Sequence, residues 1–161
     1  MKYCIDSSAL IDLGERHYPE HVPVFAPIWD YLYTAMNNGE LISVDYVREE
    51  LNKKADDWRT VFLGKAEGMF LMNEGIEQEF ANVVKDIEVG ATFNKNGHRD
   101  RFMSGADPWL IALARSMPGQ CTVVSAETKP LTGYGLGAVC QALAVPHMNL
   151  VQLFQARNIG G

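Results

Sequence analysis

The sequence has few basic residues, few cysteines and no long apolar run. Its 14 Lys and Arg stand against 20 Asp and Glu, so a nucleic acid would need a local basic patch rather than the field of the whole chain. Cys4, Cys121 and Cys140 lack metal-ligand spacing and lie in apolar sequence, which predicts buried free thiols in a reducing compartment. With no apolar run of membrane-spanning length and an acid already at position 6, we expect a cytoplasmic protein without signal peptide or membrane contact.

Repeats, low-complexity tracts and evident linkers are also missing, which excludes fibrous and disordered classes. The chain has 161 residues, of which 47% are hydrophobic and 21% charged, the composition of an ordinary globular protein with a sizeable core. We therefore expect residues 1–161 to form a single domain.

Short apolar segments alternate with helical patterns along the chain. Strands are predicted at residues 2–5, 41–44, 121–125 and 145–148, two or three helices between residues 56 and 93, and a polar loop at residues 94–101. Strands separated by helices favour a parallel sheet covered on both faces. The predicted fold is a three-layer α/β/α sandwich with a central parallel sheet of four to five strands.

Residues 104–127 combine a helix and a strand, each with an acid at its end. Asp107 precedes an apolar helical stripe, and Glu127 follows the strand at residues 121–125. Two alternatives stay open here. Asp107 followed by Pro108 is also typical of an ordinary helix start with Asp as its cap, and Glu127 alone is typical of a solvated loop acid.

Two further acids occupy comparable places. Asp6 follows the first strand and either caps the next helix or is left free, because Ser7 and Ser8 can also serve as caps. Asp45 is the predicted cap of the helix after the second strand. Glu50 lies beside the apolar stripe of that helix, where it either faces a site or reaches solvent.

The four acids are expected to meet at one edge of the sheet. The carboxyl ends of parallel strands, and the helix starts that follow them, lie at the same edge, where α/β proteins bind ligands. Carboxylates brought together repel each other unless a cation lies among them, and hard oxygen ligands of this kind select Mg²⁺ or Mn²⁺.

Four segments of the chain resemble the successive motifs of PIN-domain nucleases. They are residues 5–11, 42–51, 105–112 and 123–127, and the segment Ser-Gly-Ala-Asp-Pro-Trp-Leu-Ile at residues 104–111 is similar to a motif of an uncharacterised PIN-like family of small prokaryotic proteins. Two departures are visible: Ser7 and Ser8 replace the usual Thr-Asn, and Glu127 replaces the commoner Asp.

The resemblance implies a metal-dependent endoribonuclease, a hydrolase that uses Mg²⁺ or Mn²⁺. It implies that Asp6 and Asp107 are the principal ligands, and that Glu50 and Glu127 complete the site directly or through water. Ser7 and Ser125 would orient carboxylates as donors. The candidates for contact with RNA phosphates are Lys95, Arg99, Arg101 and Lys129.

Resemblance to VapC-type toxins implies an RNA substrate, an antitoxin-like protein partner and a possible homodimer. Three alternatives remain open at this stage. The first is a catalytically inactive PIN-like binding or scaffold module, and the second is a nuclease that acts on DNA. A phosphotransfer receiver domain is disfavoured because the strand at residues 41–44 runs into a helix start instead of an acceptor Asp.

Overall fold

A single parallel sheet forms the centre of the protein. The computed structural model describes residues 1–54, 56–89, 98–127 and 135–159. The strands are β1 (Lys2–Ile5), β2 (Leu41–Val44), β3 (Phe70–Leu71), β4 (Cys121–Ser125) and β5 (His147–Asn149), and their order across the sheet is β3-β2-β1-β4-β5. All four pairings are parallel. Strands β2 and β4 are buried throughout, as expected for a parallel sheet covered on both faces.

The register brings the carboxyl ends of the central strands to one edge. Cys4 lies opposite Ile42 on one side and Val123 on the other. As a result, the segments that leave β1, β2 and β4 start side by side. Asp6 follows β1 directly, and Glu127 comes two residues after β4.

Helices flank the sheet in a three-layer α/β/α sandwich, which confirms the predicted fold class. The α-helices in the described ranges are α1 (Ser7–Ile11), α2 (Ala26–Asn37), α3 (Asp45–Asn52), α4 (Asp57–Lys65), α5 (Glu74–Val89), α6 (His98–Ser104), α7 (Asp107–Arg115), α8 (Leu136–Ala142) and α9 (Leu150–Ala156). Helix α7 packs against β1, β2 and β4 and is covered in turn by α5, so its residues 110–114 are all buried. Helix α2 packs against β2, whereas α8 and α9 pack against β4 and β5.

Several elements differ from those predicted. Strand β3 was not predicted; it is only two residues long and therefore carries no period, and it forms by pairing Phe70 with Ser43. The last strand begins at His147, two residues later than predicted. The polar loop predicted at residues 94–101 is wrong over residues 98–101, which belong to α6, and residues 94–97 lie outside the described residues.

The predicted helix cap is confirmed for α9 and wrong for α3. Asn149 caps α9 in a reciprocal arrangement with Gln152, as predicted for Asn149. Asp45 does not cap α3; it is the first helical residue, and Val44 occupies the cap position without a side-chain hydrogen bond.

Cys4, Cys121 and Cys140 are free and buried, as the sequence predicts. Within the described part of the chain, no helix combines the length and the apolar character that crossing a membrane requires.

Candidate metal centre

Four carboxylates from separate segments line one cleft at the carboxyl edge of the sheet. The cleft has a volume of about 500 Å³. Its acids come from the end of β1, the second turn of α3, the start of α7 and the segment after β4, and they are Asp6, Glu50, Asp107 and Glu127. The structure thus brings together the four acids that the sequence singles out.

Asp6 both caps α1 and faces the cleft. Its Oδ1 accepts a hydrogen bond from the backbone N–H of Ala9 at 2.8 Å, and its Oδ2 accepts one from Ser8 Oγ at 2.7 Å. Of the two alternatives left open for Asp6, the structure therefore shows the cap of α1. Burial raises the pKa of Asp6 to about 8. The neighbouring Asp107 and Glu127 carboxylates add to this rise, whereas the hydrogen bonds from Ala9 and Ser8 oppose it.

Glu50 is held by donors from two other segments. Its Oε2 accepts a hydrogen bond from Ser7 Oγ, and its Oε1 accepts one from the backbone N–H of Ala106 at 2.8 Å. Glu50 is half-buried while its neighbour Glu49 is exposed, which agrees with the predicted orientation of α3. Ser7 thus contacts a carboxylate, as predicted, and its orienting role in a site stays a prediction.

Asp107 is the first residue of α7 but does not act as its cap. Ala106 occupies the cap position, and no side chain caps this helix. Among the described residues, no donor makes a hydrogen bond to the Asp107 carboxylate, so the alternative of an ordinary helix cap is not borne out. Burial raises the pKa of Asp107 to about 7, and repulsion from Glu50 and Glu127 adds to this rise.

The Glu127 carboxylate accepts hydrogen bonds from backbone groups at the start of α8. Its two carboxylate oxygens accept hydrogen bonds from the backbone N–H groups of Leu136 at 2.7 Å and Gly137 at 2.9 Å. A Cβ atom at Gly135 would lie 3.1 Å from Glu127 Oε1, so glycine permits this close approach. Glu127 is therefore not a solvated loop acid. Gly135 is the feature of the sequence that is consistent with this contact, because a residue without a Cβ atom leaves room for the Glu127 carboxylate.

Ser125 has a different partner from the one predicted. Its Oγ shares a 2.7 Å hydrogen bond with His147 Nε2 and accepts a second from the backbone N–H of Glu127 at 3.2 Å. In the described residues it makes no hydrogen bond to a carboxylate, so the structure does not bring it to the predicted partner. The sequence carries no signal for His147, whose pKa is lowered by burial. Ser8, by contrast, donates to the Asp6 carboxylate, a contact that the sequence pattern does not predict.

Arg101 is the one predicted RNA-contacting cation whose side chain the structure describes. It is exposed on α6 and lines the cleft. Arg99 also belongs to α6, but its side chain lies outside the described residues, as do Lys95 and Lys129.

The donor chemistry of the cleft suits a hard divalent cation held partly by water. In residues 1–54, 56–89, 98–127 and 135–159, no three His, Cys, Asp or Glu side chains form a group that could hold a metal ion. Mg²⁺, however, keeps several waters and often takes only one or two protein carboxylates. Within the described residues, both oxygens of Asp107 are without a protein donor, and each oxygen of Asp6 accepts only one of the two hydrogen bonds it can take. The carboxylate oxygens of Asp6 and Asp107 are thus of the chemical type that Mg²⁺ and Mn²⁺ prefer.

Comparison with known protein families places nearly the whole chain in one family. Residues 3–160 match the family described as Domain of unknown function (DUF4411). The chain belongs to the DUF4411 family. No curated protein matches the chain. In this DUF4411 protein the matched segment contains all four acids of the cleft.

Proposed function

We propose that this protein is a Mg²⁺- or Mn²⁺-dependent endoribonuclease that hydrolyses phosphodiester bonds in the acidic cleft. The observation that carries the proposal is the convergence of Asp6, Glu50, Asp107 and Glu127 in one cleft, with the Asp107 carboxylate left without a donor among the described residues. Carboxylates arranged in this way raise one another's pKa, so a cation among them relieves repulsion. The resemblance of the four surrounding segments to PIN-domain nucleases supports the same assignment.

Asp6 and Asp107 are the residues that would hold the cation. Asp6 is fixed by Ala9 and Ser8, so its orientation costs little additional entropy when a ligand binds. Glu50 and Glu127 are each held through both oxygens by protein donors. We infer that these two glutamates act through water molecules and set the charge of the cleft. When bound, the metal lowers the pKa of a bound water and neutralises charge on the phosphate.

Arg101 would provide positive charge at the rim of the cleft. A chain with a net charge of −6 repels a polyanion at long range, so RNA needs local cations beside the acids. Arg101 lines the cleft and is exposed, which allows it to contact a phosphate on either side of the scissile bond. The resemblance favours RNA over DNA as substrate, and the antitoxin-like partner and the homodimer stay predictions from the resemblance.

The direct test is cleavage of matched RNA and DNA strands by purified protein with Mn²⁺, Mg²⁺ or EDTA. We expect cleavage of RNA with either metal and none with EDTA. A double variant, Asp6→Asn with Asp107→Asn, keeps an Asn competent to cap α1 and controls for contaminating ribonucleases when purified in parallel. RNA cleavage that survives EDTA, or that the double variant retains, would refute the proposal.

Calorimetric titration with Mn²⁺ distinguishes the enzyme from an inactive scaffold. The parent protein should release or absorb heat on binding Mn²⁺, and the double variant should not. A parent that binds no metal and cleaves no RNA would favour the scaffold alternative, whereas cleavage of the DNA strand alone would favour a DNA-directed nuclease.

A further inference from the structure

Tyr46 is an exposed aromatic side chain on the helix that carries Glu50, although it does not itself line the cleft. It is 37% exposed, and among the described residues it is the only aromatic one of the exposed large hydrophobic side chains. Tyr46 lies in the first turn of α3, directly after β2. A ring in this position is not needed for the core, which contains Val47 and Leu51 from the same helix.

The Tyr46 ring ends a stack of three aromatic rings. It stacks on Trp109 with ring centroids 4.7 Å apart and planes inclined by 19°, and Phe80 stacks on Trp109 with centroids 3.7 Å apart and planes inclined by 4°. Tyr46 and Phe80 share no ring contact in the described part of the chain, so Trp109 is the middle ring. Trp109 and Phe80 pack against the core. The Tyr46 ring therefore packs on an aromatic pair that is anchored to the core.

The stack is connected to the cleft through helix α3. Tyr46 and Glu50 are four residues apart in α3, which places their Cβ atoms roughly 5–6 Å apart on one face of the helix. The hydrogen bond from the Ala106 N–H to Glu50 Oε1 connects α3 to the start of α7, the helix that carries Trp109. Trp109 is two residues from Asp107, so these two side chains point to different sides of α7. Tyr46 does not line the cleft, but it lies one helical turn from Glu50, which does.

We propose that the exposed side of the Tyr46 ring is a stacking platform for a base of the single-stranded RNA whose phosphate enters the cleft. This inference rests on the proposed function. Every base has a π face, so stacking on a preformed ring binds single strands with little sequence preference. Because Trp109 and Phe80 already order the tyrosine, the platform loses little side-chain entropy when the base binds. We assign a nucleobase to this ring because the proposed function places a phosphate of the same RNA strand in the cleft.

The test compares two substitutions of Tyr46 with two strands. Tyr46→Phe keeps the aromatic face, whereas Tyr46→Leu keeps apolar cover over Trp109 and removes the π system. The strands are a fluorescein-labelled, non-self-complementary phosphorothioate RNA and an abasic strand of equal length and charge. Binding is followed by fluorescence anisotropy with Mg²⁺, and a gel confirms that the strands stay intact. Thermal melts of each variant establish that it is folded.

We expect the parent and Tyr46→Phe to bind the base-bearing strand about 5- to 100-fold more tightly than the abasic strand, and Tyr46→Leu to bind both equally weakly. A parent without this preference, or a Tyr46→Leu protein that retains it, would overturn the platform, and metal-dependent cleavage by that parent would leave the proposed function standing. A parent that neither binds nor cleaves RNA would overturn both.

Discussion

Glu50 Oε1 accepts a hydrogen bond from the backbone N–H of Ala106 at 2.8 Å, across 56 residues of sequence. Its other oxygen accepts one from Ser7. One side chain on α3 therefore connects the starts of α1 and α7. Asp6 directly precedes α1, and Asp107 is the first residue of α7. Charge-assisted hydrogen bonds of this kind are stronger than neutral ones, so Glu50 holds the two aspartates in a fixed relation at the cleft.

Replacing Asp107 by Asn should abolish metal-dependent RNA cleavage without destabilising the protein. The substitution deletes one charge from a repelling cluster, so the metal-free melting temperature should equal or exceed that of the parent. Mg²⁺ should then stabilise the variant less than the parent. Asp107→Ala should stay within about 0.5 kcal/mol of the parent, because no cap is lost, whereas loss of a true cap costs about 1 kcal/mol.

Asp45→Asn is the matched control for this experiment. Asp45 is the first residue of α3, as Asp107 is of α7, but it does not line the cleft. It should leave both cleavage and the Mg²⁺ response unchanged. Full cleavage and a parental Mg²⁺ response in Asp107→Asn would end the assignment of Asp107 to the site.

The metal-free protein should lose stability as the pH rises from about 4 to about 8. The pKa of Asp6 is raised from 3.8 to about 8 and that of Asp107 to about 7. The folded state therefore keeps protons that the unfolded chain releases, so the stabilisation present below about pH 4 is lost as the pH rises through these values. Thermal melts in EDTA across this range measure the effect, and Mg²⁺ should restore stability at pH 8.

The double variant Asp6→Asn with Asp107→Asn isolates this effect from other titrating groups such as His147. Its melting temperature should fall less than that of the parent over the same pH range. Parallel curves for parent and variant would show that folding does not raise the pKa values of the two aspartates.

Removing the Glu127 carboxylate should destabilise the protein. Glu127→Ala leaves the N–H groups of Leu136 and Gly137 without their acceptor, which costs about 1–3 kcal/mol. Glu127→Gln keeps one acceptor oxygen and should lose less. Urea unfolding in EDTA measures both, with Glu49→Ala as the exposed control expected to stay within about 0.5 kcal/mol. Equal unfolding midpoints for Glu127→Ala and Glu49→Ala would mean that Glu127 does not hold α8 in solution.

Gly14→Ala should be destabilising although Gly14 does not line the cleft. Gly14 is buried in the π-helical turn Asp12–Arg16, and a Cβ atom there would lie 2.0 Å from the Trp58 ring. Overpacking of this kind costs about 1–3 kcal/mol. Gly64 in α4 is the control, since nothing lies within 4 Å of its Cβ position and Ala should stabilise the helix by about 0.5–1 kcal/mol. Chemical denaturation of the two variants should therefore give opposite signs; a neutral Gly14→Ala would show that the ring can move away.

The sequence by itself determined four of the five strands of the central sheet and the acids at its edge. Segments such as residues 41–44 and 121–125 are short and apolar, a local pattern typical of a buried strand of a parallel sheet. Because parallel strands share one carboxyl edge, Asp6 and Glu127 follow from position alone. Strand β3 has two residues and no such period, so it could not be predicted.

Only the tertiary structure decided which partner each polar group of the cleft meets. The sequence predicts an acid at each position, but not that Ala106 donates to Glu50, that Leu136 and Gly137 donate to Glu127, or that Ser125 pairs with His147. Helical and strand periods arise from neighbouring residues, whereas these contacts join segments brought together by packing. The buried groups had to find partners because an unpaired buried group is costly, and several of the available partners were remote in sequence.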